Sequence, residues 1–478
     1  MHASSTARRV AIALCLASSV ILPASTQENA SLVGSWLGEL KIQSQSLRIV
    51  VNITGEEGKL KATMDSPDQG AKGLPVSSIA IDGNSVTIES KPIGAIYMGK
   101  LSPDGKRMTG TWNQRGIALP LDLVWQKAPF ALSRPQAPKA PFPYKAEDVT
   151  VENKKAGVRL AGTLLVPAGK GPFPAIVFVP GSGPQNRDEE ILGHKPFLVL
   201  ADYLARRGIA SLRYDDRGVG GSTGDFAKAT TSDFADDAEA AFGYLEHRQE
   251  AKKGSVGIVG HSEGGVIAPI VASRNRGVSF IVLLAGPGMK GEDLVLLQGR
   301  ILARAQGMGD SNIAAAMKVN KELYDIVQEE GDEAVIAAKA KKAYLDYMKS
   351  TPEAKGVDDA TLSAMADQTV RSLLSPWYRC FLSLDPVPYL AKVGAPVLAL
   401  DGSKDLQVPA QEDLAGIKAA IGKSAGGGPN SKNKFMEIEG LNHLFQHAKT
   451  GSPDEYGKIE ETFAPEAMQA VGDWILGL

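Results

Sequence analysis

Two rhythms divide the chain. From residue 31 to about 127, apolar and polar positions alternate in short runs: 47–53, 60–64, 78–81, 86–88, 95–101, 108–112 and 119–125. Turn clusters such as Asp82-Gly-Asn84 and Ser102-Pro-Asp-Gly105 separate them. This pattern predicts a small all-β domain, an antiparallel barrel or sandwich of about seven strands. Residues 128–146 then carry five prolines, Pro129, Pro135, Pro138, Pro141 and Pro143. Such density predicts a stiff, extended linker and places a domain boundary there.

From residue 147 to the end the pattern changes to strands alternating with helices. Residues 149–151 and 158–166 read as an antiparallel entry pair. The continuous apolar run at 175–179 reads as a strand buried on both faces, 210–214, 256–259, 280–284 and 395–400 read as further strands, and 434–438 as a last strand. Helices are predicted over 196–207, 232–247, 266–273 and 466–476. The fold class is therefore α/β, a mostly parallel sheet with helices on both faces. One segment, about 288–378, shows helical patterns and no strand. It falls between a strand end and the next strand, where active sites of open sheets collect, so it is expected to form a cap.

Composition changes little of this. A formal charge of −2 over 478 residues gives no reason to expect nucleic acid. Residues 1–26 stand apart: Arg8 and Arg9 precede an apolar run from Val10 to Leu22, followed by small residues. That is the form of a cleavable export signal, too short for stable membrane insertion, so a secreted or periplasmic location is expected. Of the two cysteines, Cys15 lies in the signal. Cys380 would then stand alone as a buried small hydrophobe.

The candidate chemistry centres on Gly260-His-Ser262-Glu-Gly264, which follows a strand and opens a helix. A serine on such a turn is lifted clear of the backbone and needs glycines on either side. Its base must come from elsewhere. His443 lies just past the last strand, where a strand end delivers a side chain to the top of the sheet, whereas His261 within the turn points away from Ser262. For the orienting acid, Asp405 on the loop after the penultimate strand is preferred over Asp401 at the strand's end. The order Ser262, Asp405, His443 is that of α/β-hydrolases. Backbone donors for an oxyanion are assigned to Glu263, directly after the serine, and Ser182 in Pro180-Gly-Ser-Gly-Pro184, with Gly183 as the alternative. Trp377 and Tyr378 are candidates for the substrate pocket beneath the cap. No H-E-x-x-H or Cys/His cluster suggests a metal, and no cofactor is expected. The loop Arg213-Tyr-Asp-Asp-Arg217-Gly-Val-Gly-Gly lacks the ending of a phosphate loop and reads as a structural turn held by Asp–Arg pairs.

These stretches together resemble the EstD-type esterases of the α/β-hydrolase superfamily. The matching residues are Gly181-Ser-Gly-Pro-Gln-Asn-Arg187-Asp188, His194-Lys-Pro-Phe197, Arg213–Gly218, Gly260–Gly264, Ser375-Pro-Trp377, Asp385-Pro386, Gly402–Asp405 and Gly440–His443. The resemblance covers about residues 147–478. It implies a serine carboxylesterase for short acyl chains, with Ser262, Asp405 and His443 as triad and an all-β domain ahead of the hydrolase domain. The expected partner is a small ester. The rival readings are a serine peptidase of acylaminoacyl type, a carbohydrate acetyl or feruloyl esterase whose β domain holds a glycan on Trp36, Trp112 or Trp125, and a catalytically silent binding protein. The acyl length, natural substrate and oligomeric state are not written in the sequence.

Overall fold

A computed structural model describes residues 32–42, 45–56, 59–114, 116–422 and 430–478. The expected export signal lies outside these residues. The contacts divide into two units. The first comprises residues 32–41, Val50–Met64 and Leu74–Pro129, and the second Ile42–Ile49, Asp65–Gly73 and Phe130–Leu478.

The N-terminal sheet has nine strands: β1 (Gly34–Ile42), β2 (Gln45–Thr54), β3 (Lys61–Ser66), β4 (Ala71–Pro75), β5 (Ser78–Asp82), β6 (Ser85–Ser90), β7 (Ala95–Leu101), β8 (Arg107–Gln114) and β9 (Ile117–Gln126). Their order is β4-β3-β2-β1-β9-β8-β7-β6-β5. The strands at the two ends, β4 and β5, are joined through Val76 and Ser77 alone, so the sheet must curl until its edges meet. The Val76 N–H donates to Ala62 O (3.2 Å) and the Ser77 N–H to Glu89 O (2.7 Å) at that seam. Two strands escape the periodicity argument because glycine interrupts their alternation. In β1, a Cβ on Gly38 would lie 2.5 Å from Asp122 O, and in β4 Gly73 has φ +68°. Trp36 and Trp112 are buried, as are Ile88, Tyr97, Met108 and Leu123 of the same sheet. They are core residues and cannot stack on a glycan; Trp125 is half-buried.

The proline-rich segment has no regular structure, but it is not a bare connector. Arg134 donates to Leu192 O (2.8 Å) and Ile459 O (3.0 Å), and Gln136 to Phe463 O (2.7 Å). Prolines remove backbone donors, and these two side chains supply bonds instead.

The second sheet contains β10 (Lys145–Asn153), β11 (Val158–Val166), β12 (Phe173–Val179), β13 (Ala210–Tyr214), β14 (Ala251–His261), β15 (Phe280–Leu284), β16 (Val397–Gly402) and β17 (Lys434–Ile438). Their order is β10-β11-β13-β12-β14-β15-β16-β17. The pairs β10/β11 and β11/β13 are antiparallel and all the others parallel. The helices are α1 (Pro196–Arg206), α2 (Thr231–Glu246), α3 (Gly264–Arg274), α4 (Gly291–Ala305), α5 (Asp310–Val327), α6 (Glu333–Ser350), α7 (Asp359–Leu373), α8 (Pro376–Ser383), α9 (Val387–Leu390), α10 (Ala410–Ile421) and α11 (Pro465–Leu476). Side chains alternate across the sheet. Ala175, Val177 and Val179 of β12 pack in one core with α2, α3 and α10, and Ile176 and Phe178 in the other with α1 and α11. This is an α/β-hydrolase fold preceded by an all-β domain.

Helices α4–α8 stand between β15 and β16. They build a core of their own from Leu323, Tyr324, Val327, Ile336, Ala340, Val370 and Leu382. Cys380 on α8 is half-buried rather than buried, because Phe381 and Leu382 hold that helix's inner face. Helix α10 has no counterpart among the sequence expectations. Its inner positions are Ala410, Asp413, Ile417, Ala420 and Ile421, and the acid in the second place breaks the apolar stripe. Among the described residues no helix is long and apolar enough to cross a membrane.

Candidate active site

The site is assembled where β12, β14, β16 and β17 end. Strand β14 lies between β12 and β15, and its last residue, His261, hands the chain to a turn in which Ser262 has φ +53°. That left-handed backbone costs a non-glycine residue about 1–3 kcal/mol and persists only where the surroundings enforce it. Here the enforcement is close packing. A Cβ on Gly260 would come within 2.0 Å of Gly264 O, and one on Gly264 within 2.1 Å of Val179 O. A Cβ on Gly265 would come within 2.5 Å of Gly286 Cα. The glycines therefore let strand, turn and helix approach closely enough to expose the serine. The Ser262 N–H is tied down to Leu284 O (2.9 Å).

Asp405 and His443 arrive from neighbouring strands. The Lys404 N–H donates to Leu441 O (2.9 Å), and a Cβ on Gly402 would lie 2.2 Å from that same oxygen, so the loops after β16 and β17 touch backbone to backbone. His443 Nδ1 donates to Asp405 Oδ2 at 2.6 Å, with both residues buried. Asp405 Oδ1 accepts from the N–H groups of Gln407 (2.7 Å) and Val408 (2.9 Å), which fixes the carboxylate. A carboxylate on Nδ1 sets the tautomer and leaves Nε2 as the acceptor. The His443 loop is braced by buried Asn442, whose Oδ1 accepts from Leu444 and Gln446, each at 3.0 Å. Asp401 is not the partner of His443. Its Oδ1 accepts from its neighbour Gly402 (2.8 Å), its Oδ2 is unpaired, and burial with the charge of Asp405 nearby raises its pKa well above the ordinary carboxyl value. Among the described residues no hydrogen bond joins Ser262 Oγ to the His443 ring; contacts of this kind commonly close only with substrate bound.

The loop after β12 supplies the other side. A Cβ on Gly181 would sit 3.1 Å from Ser262 Cβ, and Gly183 takes φ +96°. The N–H groups of Ser182 and Glu263 have no acceptor among the described residues. The Glu263 side chain turns inward. It accepts from Thr231 Oγ1 (2.6 Å) and from Trp377 Nε1 (2.9 Å to Oε1), and burial, opposed by those two bonds, raises its pKa. Trp377 thereby ties the cap to the residue beside Ser262. Its ring stacks on Phe381 (5.3 Å). Tyr378 meets the Trp377 ring edge-on (5.6 Å), and its hydroxyl donates to Tyr324 (3.2 Å) within the cap's core. Ser375 Oγ accepts from the Tyr378 N–H (3.3 Å) and Pro376 opens α8, which fixes the start of the helix that carries both aromatics.

Beside the site, the Arg213–Arg217 segment is held by ion pairs. Arg213 pairs with Asp188, Arg187 with Asp215 (2.8 Å) and Arg217 with Asp237 (2.7 Å). Glu189 is a residue that sequence reasoning passed over. It is buried, has φ +51°, and its Oε1 accepts from the Gly181 N–H (2.7 Å) and contacts His261 Nδ1 (2.8 Å). Nothing in its run of polar neighbours marks it; only the closeness of the fold does.

A serine raised on a strained turn after β14, with a carboxylate-bound histidine on the loop after β17 three strands along the sheet, is the arrangement of the α/β-hydrolase superfamily. The chain belongs to the family described as X-Pro dipeptidyl-peptidase (S15 family), whose model matches residues 156–414. That span holds Ser262 and Asp405 and ends before His443. Esterase EstD of Thermotoga maritima is 27% identical over 320 residues, covering 66% of this chain and 64% of that protein, so the match spans less than two thirds of the relative. Human acyl-coenzyme A thioesterase 1 is 31% identical over 137 residues, 28% of each chain. Among solved structures, the Pyrococcus furiosus esterase Pf2001 has a TM-score of 0.42 at 14% identity, covering 73% of this chain and 98% of that one.

Proposed function

We propose that this protein is an exported serine carboxylesterase that hydrolyses short-chain carboxylic esters through an acyl-enzyme. The observation that carries the reading is the 2.6 Å bond between His443 and Asp405 on loops that touch, beside the strained serine turn. In the first half-reaction His443 Nε2 takes the Ser262 proton as Oγ attacks the ester carbonyl, and Asp405 holds the imidazolium. The Ser182 and Glu263 N–H groups receive the oxyanion, each contributing about 3 kcal/mol of transition-state stabilisation. The alcohol departs with the proton from His443. Water, deprotonated by the same nitrogen, then attacks the acyl carbonyl and releases the acid and the serine.

The test is a p-nitrophenyl ester series from acetate to palmitate, run beside Ser262→Ala and with fluorophosphonate labelling of Ser262. Activity concentrated on the short esters and lost in the variant is expected. Wild-type turnover by Ser262→Ala would refute the mechanism. A peptidase reading is favoured by membership of the X-Pro dipeptidyl-peptidase (S15) family; hydrolysis of X-Pro-naphthylamides faster than of any ester would establish it in place of the esterase. Export is tested by N-terminal sequencing of the protein recovered from the periplasm or medium, and a retained Met1 would refute it.

A further inference from the structure

His261 holds both of its ring nitrogens against acceptors. Nδ1 lies 2.8 Å from Glu189 Oε1 and Nε2 lies 2.9 Å from the His443 carbonyl oxygen. A neutral imidazole has one N–H and can donate only once, and a carbonyl oxygen cannot donate at all. Both contacts are satisfied together when the ring carries two protons. The charged groups around the ring are consistent with this: Glu189 in contact, Asp405 beyond, and the His443 ring 4.8 Å away centroid to centroid, with Phe445 against the other edge. Burial opposes a charge on His261, and the Glu189 carboxylate outweighs it, so the pKa is raised.

The pair also has costs that call for a reason. Glu189 is buried with a left-handed backbone, and strain of that kind collects where function demands it. What it holds is the whole catalytic apparatus. Glu189 Oε1 accepts from Gly181 at the root of the oxyanion loop, and a Cβ on Gly181 would be only 3.3 Å from that oxygen. The His261 backbone continues directly into Ser262, while its ring grips the main chain of His443. Three loops from three different strands meet on two side chains.

We infer that Glu189 and His261 form a buried carboxylate–imidazolium pair behind the nucleophile that positions the oxyanion loop, the serine turn and the catalytic histidine relative to one another. The inference rests on the roles proposed above for Ser262 and His443. Both members of the pair are positioning residues, since neither touches the substrate.

The test joins spectroscopy to kinetics. In 15N-histidine-labelled wild-type protein at pH 7.5, a two-bond 1H–15N spectrum is expected to show one slowly exchanging ring with both nitrogens protonated. That pattern should vanish in Glu189→Gln. With p-nitrophenyl acetate, Glu189→Gln should lower kcat by about 10- to 100-fold at little-changed KM, as misplacement by a fraction of an ångström to 1 Å does. A wild-type spectrum in which every buried ring is neutral would overturn the inference even if the variant fails to fold. So would a folded Glu189→Gln with wild-type kcat. Failure of the esterase reading itself would appear separately, as activity surviving in Ser262→Ala, and would leave the spectrum to decide the pair.

Discussion

Asp413 offers a quantitative check on the structure, independent of catalysis. It sits on α10 with its side chain in the core; Oδ1 accepts from the Gly288 N–H (2.7 Å) and Oδ2 has no partner. The surroundings are tight, since a Cβ on Gly288 would lie 2.1 Å from Asp413 O and one on Gly416 2.3 Å from Gly288 O. Burial, partly offset by the Gly288 bond and reinforced by the charge of Asp405, pushes the Asp413 pKa from 3.8 up to about 7. The folded state therefore keeps this proton over a range in which the unfolded chain has lost it. The group's contribution to stability is complete below pH 3.8 and is lost as pH rises through 7, a total of about 4 kcal/mol. Asp413→Asn keeps the Oδ1 acceptor and cannot ionise. Its new amide N–H₂ meets no partner, a cost of about 1–3 kcal/mol that is the same at every pH. Urea unfolding followed by tryptophan fluorescence should show the variant gaining on the wild type by about 3 kcal/mol between pH 4.5 and pH 8. A difference that does not change with pH would refute the assignment of a neutral Asp413 to the folded state.

Three further outcomes are expected. Asp405→Asn should lower kcat on p-nitrophenyl acetate by about 10⁴-fold through the wrong tautomer of His443, while Asp401→Asn, whose Oδ1 still accepts from Gly402, should stay close to wild type. Equal losses would mean that the acid has been misassigned. Trp377→Phe removes a donor from buried Glu263 and should cost about 1–3 kcal/mol in urea unfolding, with a changed acyl-length profile if the cap is thereby loosened. Gly260→Ala places a methyl 2.0 Å from Gly264 O and should abolish soluble expression or labelling of Ser262, whereas a folded, active variant would contradict the turn geometry.

The parts of this molecule that are legible in its sequence are those where one physical demand acts alone. Strands β12 and β15 and the last half of β14 are buried on both faces, so 175–179, 280–284 and 256–259 read as apolar runs. The serine turn shows because backbone crowding admits only glycine at 260 and 264. Where two demands compete, the pattern is lost. In β1 and β4 glycines serve close approach and positive φ at the expense of alternation, and in α10 an acid occupies a core position.

The same distinction explains the site. Asp401 and Asp405 are both acids at the end of β16, and both are buried. What separates them is the number of donors each meets. Asp405 receives two backbone N–H groups on one oxygen and the His443 ring on the other, so a charge there is compensated from both sides. Asp401 receives one N–H and leaves an oxygen bare, so a second charge beside the first is excluded and the proton stays. Those donors come from a tight turn and from a loop 38 residues away, and neither is visible in the spacing of the acids themselves. Glu189 and His261 follow the same rule. Their partners are a glycine amide and a carbonyl, groups that every residue carries, so only the fold can say which ones they meet.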